Sequence, residues 1–360
     1  MDNAPFELVL FGHDTVECAY YLCADPGRGI DFEYLGLERE RLRQTKCRDP
    51  KVVKLGDTEF LLQRYGSSSG FPFVLDNADM TIQCGEFNSP SFCVTYRSQA
   101  LWRDTAPALH QRFLDWAESL GFRHYEPEGL SRVDFTFDYH LPVVDFDEES
   151  FVSFSSLDSK HRRDRKLRGV AFGQGDVRLR IYNKVAEIAE KSAKVWFFDL
   201  WGRKEDVWRI EWQVRKAVLR RFGIRTLADL AARQGDLLRY LASDHDTLRV
   251  PEEDANRSRW PLHPLWVDLQ KQVDKFQGLG EHREVDPQTA IEERLARIGV
   301  SVYGYLKRVA ALTGAQRAEE SVSLWSAFER LRNLVLQVHH PVSWKLDVKA
   351  RRDELRVGGG

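Results

Sequence analysis

The five cysteines, Cys18, Cys23, Cys47, Cys84 and Cys93, form no CxxC pair and no zinc-type spacing. A structural zinc site and a thioredoxin-like redox motif are therefore excluded. Their odd number, and an N-terminal MDNAPFELVLFG without a basic leader region, read as reduced thiols in a cytosol. No apolar run approaches the ~18 residues that a membrane-spanning helix needs, so no membrane partner is expected. Neither sign of charge is in surplus: 53 Lys and Arg against 55 Asp and Glu leave a formal −2. There is thus no net attraction to nucleic acid, although a local cluster can still supply one. Internal repeats and low-complexity tracts are absent as well.

The chain does have room for a large core, with 360 residues of which 42% are hydrophobic and 30% charged. Length suggests about two domains. Residues 1–100 read as strands and turns: FELVLFG, TVECAYYLC, TEFLLQRYG, MTIQCGE and FCVTYRS are short, β-branched and aromatic, with turn residues between them. ALHQRFLDWAESLG has helical spacing and a stop at Gly121. TLADLAARQGDLLRYLAS follows as a helix with Thr226 as N-cap and Asp229 at N3. Composition shifts near Pro251, beyond which the patterns are helical, and the terminal RRDELRVGGG reads as frayed. The expectation is an α+β fold. A largely antiparallel sheet over residues 1–250 has one face lining a groove and helices on the other. An all-helical region follows over 251–360.

Three strands carry the chemistry. A period of two puts Val133, Phe135, Phe137 and Tyr139 on one face of RVDFTFDY, and Arg132, Asp134, Thr136 and Asp138 on the other. In VRLRIYNK, Val177, Leu179 and Ile181 oppose Arg178, Arg180, Tyr182 and Lys184. In VWRIEWQVR, Trp208, Ile210, Trp212 and Val214 oppose Arg209, Glu211, Gln213 and Arg215. One reading is an ordinary sheet with one wet face. But Asp is depleted from strand interiors, and two in one strand call for a reason. The pattern alone leaves both readings open.

If the polar faces share a groove, the chemistry is coherent. Carboxylates are hard ligands for Mg²⁺ or Mn²⁺, and Arg and Lys neutralise phosphates. A tyrosine can form a covalent intermediate. Ionising a phenol of pKa near 10 at pH 7 costs roughly 4 kcal/mol. Neighbouring cations are expected to lower that cost by favouring phenolate. Asp134 and Asp138 lie roughly 13 Å apart along an extended strand, so they share one small ion only if a bulge compresses the strand. One is expected to act with Glu211, the other to orient a base, a cation or a water.

The ordered set RVDFTFD, LRIYNK and WRIEWQVR, with FCVTYRSQALWRD upstream and KLRGVAFGQGDV before the tyrosine, resembles the replication initiation factor family. Its members start rolling-circle replication of plasmids and filamentous phages, and this chain looks like the phage type. The resemblance covers roughly residues 80–225 well. It implies a metal-dependent DNA nickase-ligase in which a tyrosine cleaves one strand of an origin, stays on the 5′ phosphate and frees a 3′-OH primer. Tyr182 then corresponds to the nucleophile, and Asp134, Asp138 and Glu211 to candidate ligands of Mg²⁺ or Mn²⁺. Arg178, Arg180 and Lys184 correspond to phosphate contacts. DNA is the implied partner, with host helicase, host polymerase and a second copy as further candidates. None of the ten histidines lies two residues from another, so the His-hydrophobic-His metal pair of many rolling-circle endonucleases is absent.

The stretch KHRRDRKLRG holds six Lys or Arg in ten residues and reads as a basic loop. Its Arg162, Arg163, Arg165, Lys166 and Arg168 are expected on the DNA backbone, against the alternative of a solvated run. Trp102, Trp116, Trp208 and Trp212 read as core rather than base-stacking platforms. Asp14, Glu17 and the His339-His340 pair read as structural, with reach to the metal site the alternative for the two carboxylates. Two other functions compete with the nickase: a non-catalytic origin-binding protein on the same fold, and a metal-independent tyrosine recombinase, which the strand-borne carboxylates fit poorly.

Overall fold

A computed structural model describes residues 6–44, 50–155, 158–163, 166–278, 287–317 and 321–357. In it the period-two stretches pair into one sheet. In chain order its strands are β1 (Glu7–Ala24), β2 (Lys51–Leu55), β3 (Thr58–Leu62), β4 (Phe73–Asp76), β5 (Met80–Cys84), β6 (Phe92–Tyr96) and β7 (Phe122–His140). After the short β8 (Phe151–Ser153) come β9 (Asp158–Arg163), β10 (Lys166–Phe172), β11 (Val177–Asn183) and β12 (Val207–Arg215). β13 (Asp246–Leu248) pairs with β8 in a separate two-stranded ribbon.

The main sheet has eleven strands in the order β2-β3-β4-β5-β6-β1-β7-β12-β11-β10-β9. Every pair in it is antiparallel. Two meanders thus flank a central pair of long strands. FELVLFG and TVECAYYLC, which the sequence suggests as separate strands, are one 18-residue strand. Register shifts such as that between His13 and Thr15 let it run on against β7 by bending rather than breaking.

Register carries the site. β7 pairs with β12, and β12 with β11, so that Asp138, Arg209 and Tyr182 form one row across three strands. Thr136, Glu211 and Arg180 form the next, and Asp134, Gln213 and Arg178 the third. The opposite face is apolar. Phe137 meets Trp212 at 6.1 Å, and Trp212 meets Trp266 at 5.7 Å, between ring centroids. Tyr139 lies on that face too, wholly buried, its hydroxyl donating to Asp268 Oδ2 at 2.9 Å.

Helices α1 (Phe32–Gln44), α2 (Ser98–Arg103), α3 (Ala106–Ser119), α4 (Lys184–Glu187), α5 (Phe197–Trp201), α6 (Lys216–Arg221), α7 (Leu227–Tyr240) and α8 (Pro264–Val273) complete the first unit. Gly121 follows α3 with φ +89°, a left-handed stop. Thr226 and Asp229 form the capping box of α7. α1 has no counterpart in the strand-and-turn reading of residues 1–100, because its run of charges hides the apolar pair Leu35 and Leu42. The basic stretch is the β9–β10 hairpin rather than a loop.

Contacts divide the chain at Arg283/Glu284, not near Pro251. The reason is α8, whose Leu265, Trp266, Leu269 and Val273 are buried in the first core. The second unit holds α9 (Pro287–Arg317), α10 (Leu324–Val338) and α11 (Pro341–Val357). Instead of fraying, RRDELRV continues α11. No helix among the described residues is long and apolar enough to cross a membrane.

Candidate active site

Tyr182 leaves β11 opposite Gly169 of β10. A Cβ at Gly169 would lie 2.7 Å from Tyr182 Cβ and 2.9 Å from the Ile181 carbonyl oxygen. The bare glycine therefore makes the room in which the tyrosine crosses the hairpin. Its hydroxyl donates to Glu211 Oε2 at 2.7 Å, and Arg180 donates to the other oxygen of the same carboxylate.

This arrangement reverses one expectation. Burial foremost, then the Glu211 carboxylate, push the Tyr182 phenol well above its ordinary value, with Arg209 opposing them. The nearby cations do not pre-form a phenolate: Arg180, Lys184 and Arg209 are each paired with a carboxylate. Ionisation of Tyr182 here needs a proton acceptor, and Glu211 already holds the hydrogen bond through which the proton would leave.

Asp134 is gripped by Arg132, whose Nε reaches Oδ1 at 2.8 Å and Nη2 reaches Oδ2 at 2.5 Å. Arg180 Nη2 stands 4.0 Å from the same Oδ2. Burial raises the Asp134 carboxyl, against the pull of Arg132, and the Glu211 charge adds to the rise. Asp138 lies one row beyond Glu211 and belongs to another network. Arg209 donates to it through Nε at 2.6 Å and Nη2 at 2.8 Å, and Trp201 Nε1 adds a third bond at 2.9 Å.

That network includes Asp14, which the sequence alone makes a peripheral residue. Arg209 Nη1 reaches Asp14 at 2.7 Å, Ser98 Oγ at 2.8 Å and Lys194 Nζ at 3.2 Å. The signal for it is the β1 irregularity at His13–Thr15, which only the pairing with β7 reveals. Glu17 sits opposite Arg132 in the register.

An aromatic cap formed after β11 covers this end of the polar face. Phe197 stacks on Trp196 at 4.0 Å and on Trp201 at 5.2 Å, and the Arg209 guanidinium lies 4.5 Å from the Phe197 ring. Arg209 is wholly buried as a result. Lys184 is buried with it, bonded to Glu187 at 2.7 Å and 5.5 Å from the Tyr182 ring centroid, so it faces no open groove here. Burial lowers its pKa.

What remains open beside the tyrosine is a groove of about 320 Å³. Arg168, Arg178, Arg180, Tyr182, Asn183 and Glu187 are among the residues that line it. Arg162 and Arg163 belong to β9 and Lys166 to β10, but their side chains lie outside the description. Arg165 lies outside the described residues.

No three His, Cys, Asp or Glu side chains converge as metal donors among the described residues. Asp134 and Glu211 do converge on a single cationic point, which the Arg180 guanidinium fills. Mg²⁺ commonly takes only one or two carboxylates and completes its shell with phosphate oxygens and water. Glu211 Oε1 therefore fits such an ion once Arg180 yields, with Asp134 beside it held at both oxygens by Arg132, whereas Asp138 lies one row away in the Arg209 and Trp201 network.

No family model matches the chain, and no curated protein is similar enough to count as a relative. Among solved structures it is similar to a rolling circle replication initiator protein from Geobacillus stearothermophilus, at 18% identity and a TM-score of 0.45. The match covers 74% of this chain and 97% of that one.

Proposed function

We propose that the chain initiates rolling-circle replication by nicking one DNA strand with Tyr182. The observation that carries this reading is the hydrogen bond from the Tyr182 hydroxyl to Glu211 Oε2 at 2.7 Å, beside a groove walled by Arg168, Arg178 and Arg180. A half-buried tyrosine bonded to a buried carboxylate at the edge of an arginine-lined groove is what phosphoryl transfer to tyrosine requires. The ordered strand motifs support the same reading independently.

In the step, a Tyr182 Oη–P bond forms as the P–O3′ bond breaks. The phenolic proton passes to Glu211, and the departing 3′ oxygen takes one from water. The product is a 5′-phosphotyrosine and a free 3′-OH, which can prime synthesis and later reverse the reaction. Arg178 and Arg168 hold the phosphate backbone. Asp134 and the Oε1 of Glu211 would hold Mg²⁺ or Mn²⁺, which would stabilise charge on the phosphate oxygens and leave Oε2 to the phenolic proton. Arg209, fixed by Asp138 and Asp14, supports the row on which Tyr182 stands.

The test uses a randomised single-stranded oligonucleotide pool labelled at the 3′ end, with and without Mn²⁺. Label should migrate with the wild-type chain on a denaturing gel, only with metal, and not with Tyr182→Phe. Label on both proteins would remove Tyr182 as nucleophile. Binding without any adduct, confirmed on a supercoiled plasmid, would leave a non-catalytic DNA-binding protein.

A further inference from the structure

Arg180 occupies the point at which two acidic side chains meet. Its Nη2 donates to Glu211 Oε1 and stands 4.0 Å from Asp134 Oδ2. The carboxylate side chains are 2% and 3% exposed, whereas that of Arg180 is 32% exposed. Of the three groups the cation is therefore the one with a path into water. Its Nε has no hydrogen-bond partner among the described residues, so the guanidinium is anchored from one end only. The remaining anchors of the two carboxylates, Arg132 on Asp134 and Tyr182 on Glu211, hold them in place without it.

We infer that Arg180 is a built-in competitor for a divalent cation at the Asp134–Glu211 pair. An arriving ion displaces its guanidinium into the adjoining groove, toward the substrate phosphate. This rests on the reading of those two carboxylates as ion ligands. The physical reason is that Glu211 Oε1 cannot serve the Arg180 N–H and a Mg²⁺ ion at about 2.1 Å together. Arginine cannot lose its charge to relieve the conflict, so it has to move. While the ion is away, the guanidinium compensates the buried Glu211 carboxylate, as Arg132 compensates Asp134. Once displaced, it stays in the groove that Arg168 and Arg178 also line.

The measurement is Mn²⁺ binding to the full chain without DNA, followed by the loss of the free-ion electron paramagnetic resonance signal. Arg180→Gln should bind Mn²⁺ about tenfold more tightly than wild type, or better, as expected on losing one charge-assisted competitor. Arg180→Lys should fall between the two, and Glu211→Gln should lose the ion. Tightening separates competition from damage, because a variant that merely loosens the site binds more weakly. Circular dichroism of Arg180→Gln checks that the sheet is intact. Wild-type or weaker affinity in a folded Arg180→Gln, with Glu211→Gln still losing the ion, would overturn the competition and leave the ligand assignment standing. No Mn²⁺ binding to any variant would overturn both, while the Tyr182 adduct assay judges the nickase separately.

Discussion

Replacing Arg209 with methionine should be among the most damaging single changes in the first unit. The guanidinium is wholly buried and gives three hydrogen bonds of 2.6–2.8 Å to Asp138 and Asp14. Methionine can fill much of the volume beside Phe197, so a large cavity is not the main loss. The main loss is electrostatic, because the buried Asp138 loses its counter-ion and the partly buried Asp14 keeps only Lys194. Removing one partner of such a pair costs about 3–5 kcal/mol, against roughly 5–15 kcal/mol for a whole domain. The urea midpoint, followed by near-ultraviolet circular dichroism, should fall by on the order of 1–2 M. Adding Asp138→Asn and Asp14→Asn should restore about half the loss or more. The pair of changes removes the stranded charges, while the new amide oxygen in place of the Asp138 carboxylate can still accept from Trp201. A penalty below about 1 kcal/mol, or one that the added asparagines leave unchanged, would refute the account.

Two further outcomes are expected. Burial depresses His13 to about 4, so its contribution is fully present above pH 6.5 and is lost as pH falls. Unfolding free energy should drop by about 2 kcal/mol between pH 7 and pH 5, and His13→Gln should flatten that slope in urea titrations. Gly169→Ala should cost about 1–3 kcal/mol by overpacking against Tyr182 and lower the adduct yield. Gly129→Ala, where the nearest atom to a new Cβ is 3.9 Å away, should do neither.

Much of the sheet was legible in the chain, because alternation along a strand is local. VWRIEWQVR is β12 from its first residue to its last, with Trp208, Ile210, Trp212 and Val214 on the core side. The Thr226 capping box and the Gly121 stop were equally legible, since each is settled by a few adjacent residues. α1 was not, because its charged surface outweighs the two leucines that anchor it. Nor was the β9–β10 hairpin, because Lys and Arg density resembles a loop wherever pairing is unseen.

The sequence by itself determined which residues share the polar face: period two puts Asp134, Asp138, Arg180, Tyr182 and Glu211 there before any strand is paired. Only the tertiary structure decided how they are divided. Pairing put Glu211 beside Arg180 and Arg209 beside Tyr182. It gave Asp138 to Arg209 and Trp201, left Asp134 to share Arg180 with Glu211, and drew in Asp14 from a strand more than a hundred residues away. Alternation is a property of one strand, whereas register belongs to the pair. A charge's partner is whatever the neighbouring strand sets within about 4 Å of it.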